Sequence, residues 1–189
     1  ADAARAAGYA VHDSVAAFAA GSATGGSATP TAVLIGEGHL PYVVDEARVP
    51  LSDMVLAALD ALETDPDGFF LLVEAARIDH ASHDNDLERA IGETVDLLDA
   101  VDAVLDRLEG AGRGDVLVVL TADHETGGLS VSGEVSPGVL PADSAVAWST
   151  GGHTATPVPV LAWGAGADRV ISVDHVTDVY RLLLGVPVE

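Results

Sequence analysis

The sequence predicts a layered α/β fold around a mostly parallel sheet, because fully apolar runs alternate with segments of helical periodicity. Three uninterrupted apolar runs, typical of strands buried on both faces, cover residues 69–75, 116–122 and 158–164. Amphipathic patterns follow at about 87–108 and 174–185. Strand followed by helix in this repeating order predicts strands that lie parallel in one sheet.

The sequence patterns that predict the remaining helices and strands are less pronounced. Alanine-rich residues 1–20 predict a helix, and the short apolar run 31–36 predicts a strand. Apolar residues at helical spacing predict a helix over 51–63, with Ser52 as its N-cap. Residues 125–150 are rich in loop formers. Since there is no internal repeat and no linker-like stretch, we expect residues 1–189 to be a single segment.

Composition narrows the class of protein. With 189 residues, 49% hydrophobic and 20% charged, the chain is long and apolar enough for a substantial core. Its 8 basic residues, all arginine, oppose 30 acidic ones, and the net charge of −22 repels nucleic acid and anionic membranes. Two explanations of the acidity compete, a salt-adapted surface and metal ligation, and the first is favoured because ligands account for few of the acids. Without cysteine, any metal must be held by oxygen and imidazole.

Acidic and imidazole groups crowd where two apolar runs end. Glu74 lies at the end of the first run and Asp79 and His83 follow it, whereas Asp123 and His124 follow the second. Ligands in α/β sheets gather at the carboxyl ends of strands, and crowded carboxylates need cations to neutralise them. Asp79 and His83 are four residues apart and share one helical face, a donor set that suits zinc. The alternative is a loop of solvated acids and helix caps.

A third element is "STGGHTATPVPV", in which His153 is flanked by glycine pairs and small residues that allow close approach. His153 precedes its strand, whereas the other candidate ligands follow theirs. Either the loop therefore carries it to the site or the strand runs antiparallel. Spacing alone leaves its role as a ligand open.

Three blocks of the chain together resemble successive signature blocks of the alkaline phosphatase family. They are "FFLLVEAARIDHASHDND", "LVVLTADHETGGL" and "WSTGGHTATPVPVLAWG". They occur in the family's order and near its spacing, and the resemblance covers nearly the whole chain. It implies the C-terminal half of such an enzyme, and therefore part of a layered α/β/α sandwich.

The resemblance implies two zinc ions and one magnesium ion, Zn²⁺ and Mg²⁺, each with matching ligand positions in this sequence. Those positions are Asp79, His83 and His153 for one zinc, Asp123 and His124 for the other, and Glu74 for magnesium. His80 matches a position beside the metals that varies between Lys and His in the family, where it influences metal preference and contact with phosphate.

The chain departs from the family at the nucleophile. The family uses a serine in an Asp-Ser-Ala-Ala-like stretch, an upstream Asp that bridges two metals and an Arg that grips phosphate, and none has a convincing match here. Ser14 is a weak candidate, because it lies only 60 residues before Glu74 and "AAGYAVHD" better matches a Gly-Tyr strand entry. The alternative for Ser14 is a loop or helix-cap serine.

The resemblance implies metal-dependent hydrolysis of phosphate monoesters, with this segment alone expected to be inactive. The expected partners are the N-terminal half of the enzyme and, in a homodimer, a second copy. The expected location is outside the cytoplasm, periplasmic or extracellular. The alternatives are a non-catalytic metal-binding fragment and another phosphotransferase of the wider superfamily.

Overall fold

The structure is a computed structural model in which residues 1–22, 29–132 and 145–187 are described. Contacts divide the chain into two compact units. The first unit is Ala1–Ile78 with Glu88–Asp106, and the second is Asp79–Leu87 with Arg107–Glu189.

Helices and short strands make up both units. The described helices are α1 Asp2–Ala6, α2 Val15–Ser22, α3 Leu51–Leu62, α4 Arg77–His83, α5 Leu87–Gly110 and α6 Val176–Leu183, with a 3₁₀ helix at Ala167–Ser172. The described strands are β1 Ala10–His12, β2 Thr31–Val33, β3 Leu117–Thr121, β4 Glu125–Thr126, β5 Ser130–Val131, β6 Val146–Ala147, β7 His153–Thr154 and β8 Val160–Gly164.

The N-terminal region corrects one prediction. The expected helix over 1–20 is interrupted, because Gly8 adopts a φ of +89° that only glycine takes readily. The chain then enters β1, which pairs in parallel with β2, so the Gly-Tyr strand entry is confirmed. The Ser14 hydroxyl accepts a hydrogen bond from the Ala17 amide at 3.2 Å. Ser14 therefore caps α2, as the alternative explanation of this residue expected.

The core of the first unit forms around α3, whose predicted span is confirmed. Its buried cluster is Leu51, Val55, Leu59 and Ala100. The prediction of Ser52 as N-cap is wrong, since Pro50 occupies that position and offers no side-chain cap. Instead the Leu51 amide donates to the Asp96 carboxylate at 3.4 Å, so α5 supplies the missing acceptor.

Residues 69–75 do not form the paired strand that their apolar run predicts. They lack regular secondary structure among the described residues. Phe69 and Leu71 pack against the α3 core, whereas Phe70 and Leu72 are 69% and 78% exposed. The alternation has the period of a strand, but no neighbouring strand accompanies it in the described structure.

All three strand pairs described in the second unit are antiparallel, whereas the sequence predicted a mostly parallel sheet. β3 pairs antiparallel with β8, with Val119 opposite Ala162, and β4 pairs antiparallel with β7. β1–β2 is the one parallel pair among the described strands. The α/β class is confirmed, and the run at 158–164 takes the antiparallel alternative that the position of His153 allowed.

The last helix, α6, ends as the sequence predicts. His175 caps its start, accepting from the Thr177 amide, while Asp178 accepts from the His175 amide. Gly185 follows its end with a φ of +70°. Across the described ranges, no helix is both long and apolar enough to cross a bilayer.

Candidate metal centre

The first predicted ligand set converges in the structure. His83 Nε2 lies 3.4 Å from Asp79 Oδ2 and 3.1 Å from His153 Nε2, and His153 Nε2 lies 3.5 Å from Asp79 Oδ1. Asp79 and His83 are both on α4, one helical turn apart. His153 begins β7 and arrives from a distant part of the sequence. Three donor groups therefore meet at one point within the second unit.

Pairing between β4 and β7 positions His153. Thr126 lies opposite His153 in this antiparallel ladder. The glycine pairs on either side of the ladder make a second connection, because the Gly127 amide donates to the Gly152 carbonyl at 2.9 Å. Residues 126–128 and 149–153 therefore pack side by side. We call this contact the crossing of the two glycine pairs, and it determines where the His153 imidazole lies.

His124 adjoins the same cluster. Its ring stacks on that of His153 with centroids 3.6 Å apart. Donor atoms of Asp79, His124 and His153 all lie within 4.8 Å of one another. The neighbouring carboxylate, Asp123, is exposed and lies with Oδ2 3.4 Å from His124 Nε2. The second predicted pair thus lies beside the first set.

Hydrogen bonds determine which imidazole nitrogens are available to a cation. His83 Nδ1 lies 2.7 Å from the Gly151 carbonyl. Because a carbonyl can only accept, Nδ1 carries the proton, and the lone pair of Nε2 is available to bind a cation. The Thr126 hydroxyl donates to Asp79 at 2.6 Å and therefore accepts from His124 Nδ1 at 3.1 Å. His124 Nε2 is left free, on the side that faces Asp123.

Asp79 is ionised in this environment. Burial by itself would raise the pKa of its carboxyl, but the hydrogen bond from Thr126 and the three nearby imidazoles outweigh burial and hold the pKa below its usual value. A carboxylate must be deprotonated to bind a metal, and Asp79 meets this condition throughout the neutral range.

The donor set fits zinc in chemistry and in spacing. Two ligand atoms that each lie about 2.0–2.1 Å from a tetrahedral zinc are roughly 3.3 Å from each other. The two imidazole nitrogens of the first set are 3.1 Å apart, and they lie 3.4 and 3.5 Å from the two different oxygens of Asp79. These distances, and the 3.4 Å between Asp123 and His124, are close to that value. The assignment of these residues as zinc ligands stays a prediction, now with a geometry that agrees with it.

Two other predicted residues are not part of this cluster. Glu74 is exposed and belongs to the first unit. His80 is half-buried on α4, and it is absent from the group of converging donors. Magnesium binding by Glu74 and the influence of His80 on the site both stay predictions.

Sequence reasoning missed the residues that orient the ligands. Thr126 contacts both Asp79 and His124, and the Gly151 carbonyl fixes the ring of His83. Glu125, which lies between His124 and Thr126 in sequence, accepts a very short hydrogen bond from Thr154 across the β4–β7 ladder. Only the position of Thr126 two residues after His124 could have drawn attention to it.

Open space adjoins the second ligand pair. A cavity of about 350 Å³ is lined by Asp123 and His124 on one side and by the start of α6 on another. Its volume lies within the range of small-molecule sites, and it therefore leaves room for further groups beside these two residues.

Fold and site together define an α/β protein with a candidate metal centre at its strand ends. Comparison with known proteins gives the particular family: a sequence profile described as alkaline phosphatase matches residues 23–144, and the chain belongs to the alkaline phosphatase family. The family resemblance is thereby confirmed, and the first two of the three sequence blocks lie within the matched residues.

Individual relatives agree with this assignment. Alkaline phosphatase 3 of Bacillus subtilis is 42% identical over 103 residues, which are 53% of this chain and 22% of the relative. Alkaline phosphatase H of Pseudomonas aeruginosa is 32% identical over 171 residues, 80% of this chain and 36% of the relative. The matched part of this chain therefore spans about a fifth to a third of these two proteins.

A solved structure shows the same fold. It is a variant of the alkaline phosphatase from the Antarctic bacterium TAB5 with magnesium bound in its M3 site. The TM-score is 0.69 at 26% identity, and the match covers 88% of this chain and 48% of that chain. This chain thus corresponds to about half of the solved protein.

Proposed function

We propose that this chain is the ligand-bearing C-terminal part of an alkaline phosphatase that hydrolyses phosphate monoesters with zinc and magnesium. The observation that carries the proposal is the convergence of Asp79, His83 and His153, whose donor atoms are 3.1 to 3.5 Å apart. Asp123 and His124 form the second zinc pair, and Glu74 contributes to the magnesium site.

The residues of the chain prepare the donors. The hydrogen bond from Thr126 helps to hold the pKa of Asp79 below its usual value, and it orients the ring of His124. The Gly151 carbonyl orients the ring of His83. When bound, zinc supplies a Lewis acid that stabilises charge on a phosphoryl group. Preorganised donors lower the cost of assembling that centre, because their protons and ring orientations are already set.

Other parts of the proposed enzyme lie outside this chain. Ser14 is engaged as the cap of α2, which supports assigning the nucleophile to an N-terminal half. That half would also supply the phosphate-gripping Arg and the remaining ligands, for which the cavity beside Asp123 and His124 leaves room. A homodimer and export from the cytoplasm belong to the same proposal, through family membership.

The second candidate is a metal-binding fragment without catalysis, which the capping role of Ser14 favours for the chain in isolation. A different phosphotransferase of the wider superfamily is less favoured, because the alkaline phosphatase profile matches residues 23–144. Both alternatives share the zinc centre, so zinc binding is the property to test first.

Zinc binding is tested by calorimetry on the 189-residue chain and on the double variant His83→Ala, His153→Ala. The variant removes two of three donors, and we expect at least about a 100-fold loss of zinc affinity. His12→Ala is the matched control, since the His12 ring packs edge-to-face against Phe18 outside the donor group. Unchanged zinc affinity in the double variant, with circular dichroism showing a folded chain, would contradict the proposal.

A further inference from the structure

Tyr42 is a buried aromatic residue whose ring contacts two arginines. The ring is 7% exposed, and its centroid lies 3.6 Å from Arg77 Cζ and 4.7 Å from Arg89 Cζ. Both distances are within the roughly 6 Å at which a cation and an aromatic face attract each other. Asp45 pairs with the second of these cations, because its Oδ2 lies 2.8 Å from Arg89 Nη2. The closer contact, between Tyr42 and Arg77, is therefore a direct stacking of guanidinium on ring.

The main chain beside Tyr42 is held against α5. The Val43 amide donates to Glu93 Oε1 at 2.9 Å. Val44 lies against Gly92, where an added Cβ would be only 2.6 Å from Val44 Cγ1, so this close approach requires glycine. The position of the Tyr42 backbone is thus set by a helix of 24 residues and not by Arg77.

Arg77 is the first residue of α4, which carries two of the candidate zinc ligands. Asp79 lies two residues further along this helix, and His83 is its last residue. The helix has only 7 residues, and a helix of this length is not stable by itself in water. It therefore depends on contacts that hold it in place, and the contact between Arg77 and Tyr42 holds its first turn.

We propose that Tyr42 is a positioning residue for the zinc centre, because its ring holds Arg77 and thereby the start of α4. Held in this way, Asp79 and His83 keep the 3.4 Å separation between their donor atoms. The inference rests on the proposed function and adds to it a residue outside the donor group. The alternative is that Tyr42 only fills space in the core, where it would contribute to stability but not to metal affinity.

Zinc calorimetry and hydrogen exchange on the 189-residue chain test this role, at temperatures where each variant is folded. Tyr42→Leu removes the aromatic face but keeps the residue apolar, and we expect at least about a 10-fold loss of zinc affinity. In the metal-free chain, the hydrogen-bonded amides of α4 should exchange at least about 10-fold faster. Tyr42→Phe keeps the face that makes the contact, so both quantities should stay within about 2-fold of the unaltered chain.

Two further variants separate positioning from general stability. Val55→Ala removes volume from the buried cluster around α3, so it should lower the free energy of unfolding and leave zinc affinity within about 2-fold of the unaltered chain. Arg77→Met removes the cation that the ring holds, and it should itself weaken zinc binding at least about 10-fold. Adding Tyr42→Leu to Arg77→Met should then cost less than about 2-fold, because the two residues act through one contact.

The outcomes that overturn the inference differ from those that concern the metal function. Unchanged zinc affinity in Tyr42→Leu, or an equal loss in Val55→Ala, would make Tyr42 a residue of stability alone. A full further loss in the Arg77→Met background would show that Tyr42 acts by another route. An unaltered chain that binds no zinc would contradict the proposed function instead, and the exchange of α4 in the metal-free chain would then decide whether Tyr42 holds this helix.

Discussion

Arg48 is a buried cation between two carboxylates of α5. Its Nη2 lies 2.9 Å from Glu93 Oε2 and 2.9 Å from Asp96 Oδ2, and the side chains of Arg48 and Glu93 are 8% and 4% exposed. Glu93 also accepts from the Val43 amide at 2.9 Å. One arginine thus bridges two neighbouring acids, offsets part of their negative charge, and ties the loop before α3 to α5.

We predict that Arg48→Ala lowers the free energy of unfolding by about 3–5 kcal/mol, because it leaves buried carboxylates without their cation. Chemical denaturation measures the change. Arg5→Ala is the control, since its ion pair with Asp2 is exposed and should contribute little. Adding Glu93→Gln to Arg48→Ala should recover part of the loss, and a double variant less stable than the single one would contradict this explanation.

At the scale of single residues, the sequence indicated the donors but not their supports. Asp79, His83, Asp123 and His124 could be found because each follows an apolar run, where α/β proteins gather ligands. Thr126 could not, since a threonine in a loop has many uses and its two hydrogen bonds depend on the β4–β7 pairing. The role of Arg48 could not be predicted either, because its two acidic partners lie 45 and 48 positions away in the sequence.

Among the elements, the turn after β4 controls the geometry of the centre. Gly127 has a φ of +91°, and a Cβ added there would overlap the Trp148 ring and lie 3.0 Å from the Ser82 carbonyl. Its carbonyl accepts from the Ser149 amide at 3.0 Å. Only glycine fits this crossing, and the crossing holds His153 against His124.

Gly127→Ala should therefore affect both stability and metal binding. We predict a loss of about 2–5 kcal/mol in unfolding free energy, from left-handed strain and overpacking together, and a zinc affinity at least about 10-fold weaker. Denaturation and calorimetry measure the two effects. Gly114→Ala is the control, because its φ is not positive and nothing lies within 4 Å of an added Cβ. Equal behaviour of the two variants would contradict this role for the turn.

The two long helices could be predicted from the sequence, whereas the pairing of the strands could not. The helices at Leu51–Leu62 and Leu87–Gly110 match their apolar periodicity closely, since amphipathicity is written into local sequence. Apolar runs predict burial rather than partners, so they could not show that β3 pairs antiparallel with β8, or that residues 69–75 lie unpaired in the described structure. The break at Gly8 was hidden by the helix propensity of the surrounding alanines.

For the molecule as a whole, the feature with the clearest consequence for stability is the repulsion among its many acidic side chains. The net charge is −22 on 189 residues. The exposed acids Asp99, Asp102 and Asp106 are spaced three and four apart on α5, so they repel one another directly. Added salt screens this repulsion between the three carboxylates.

We predict that the melting temperature rises by several degrees as ionic strength goes from about 0.1 M to about 1 M, because the screening length falls from roughly 10 Å to 3 Å. Thermal melts in sodium chloride measure this. Salt also strengthens apolar burial, so the triple variant Asp99→Asn, Asp102→Asn, Asp106→Asn separates the two causes. It should melt higher than the unaltered chain at low salt and gain less from added salt. Identical salt slopes for the two chains would assign the rise to burial and leave the acidity of α5 without this explanation.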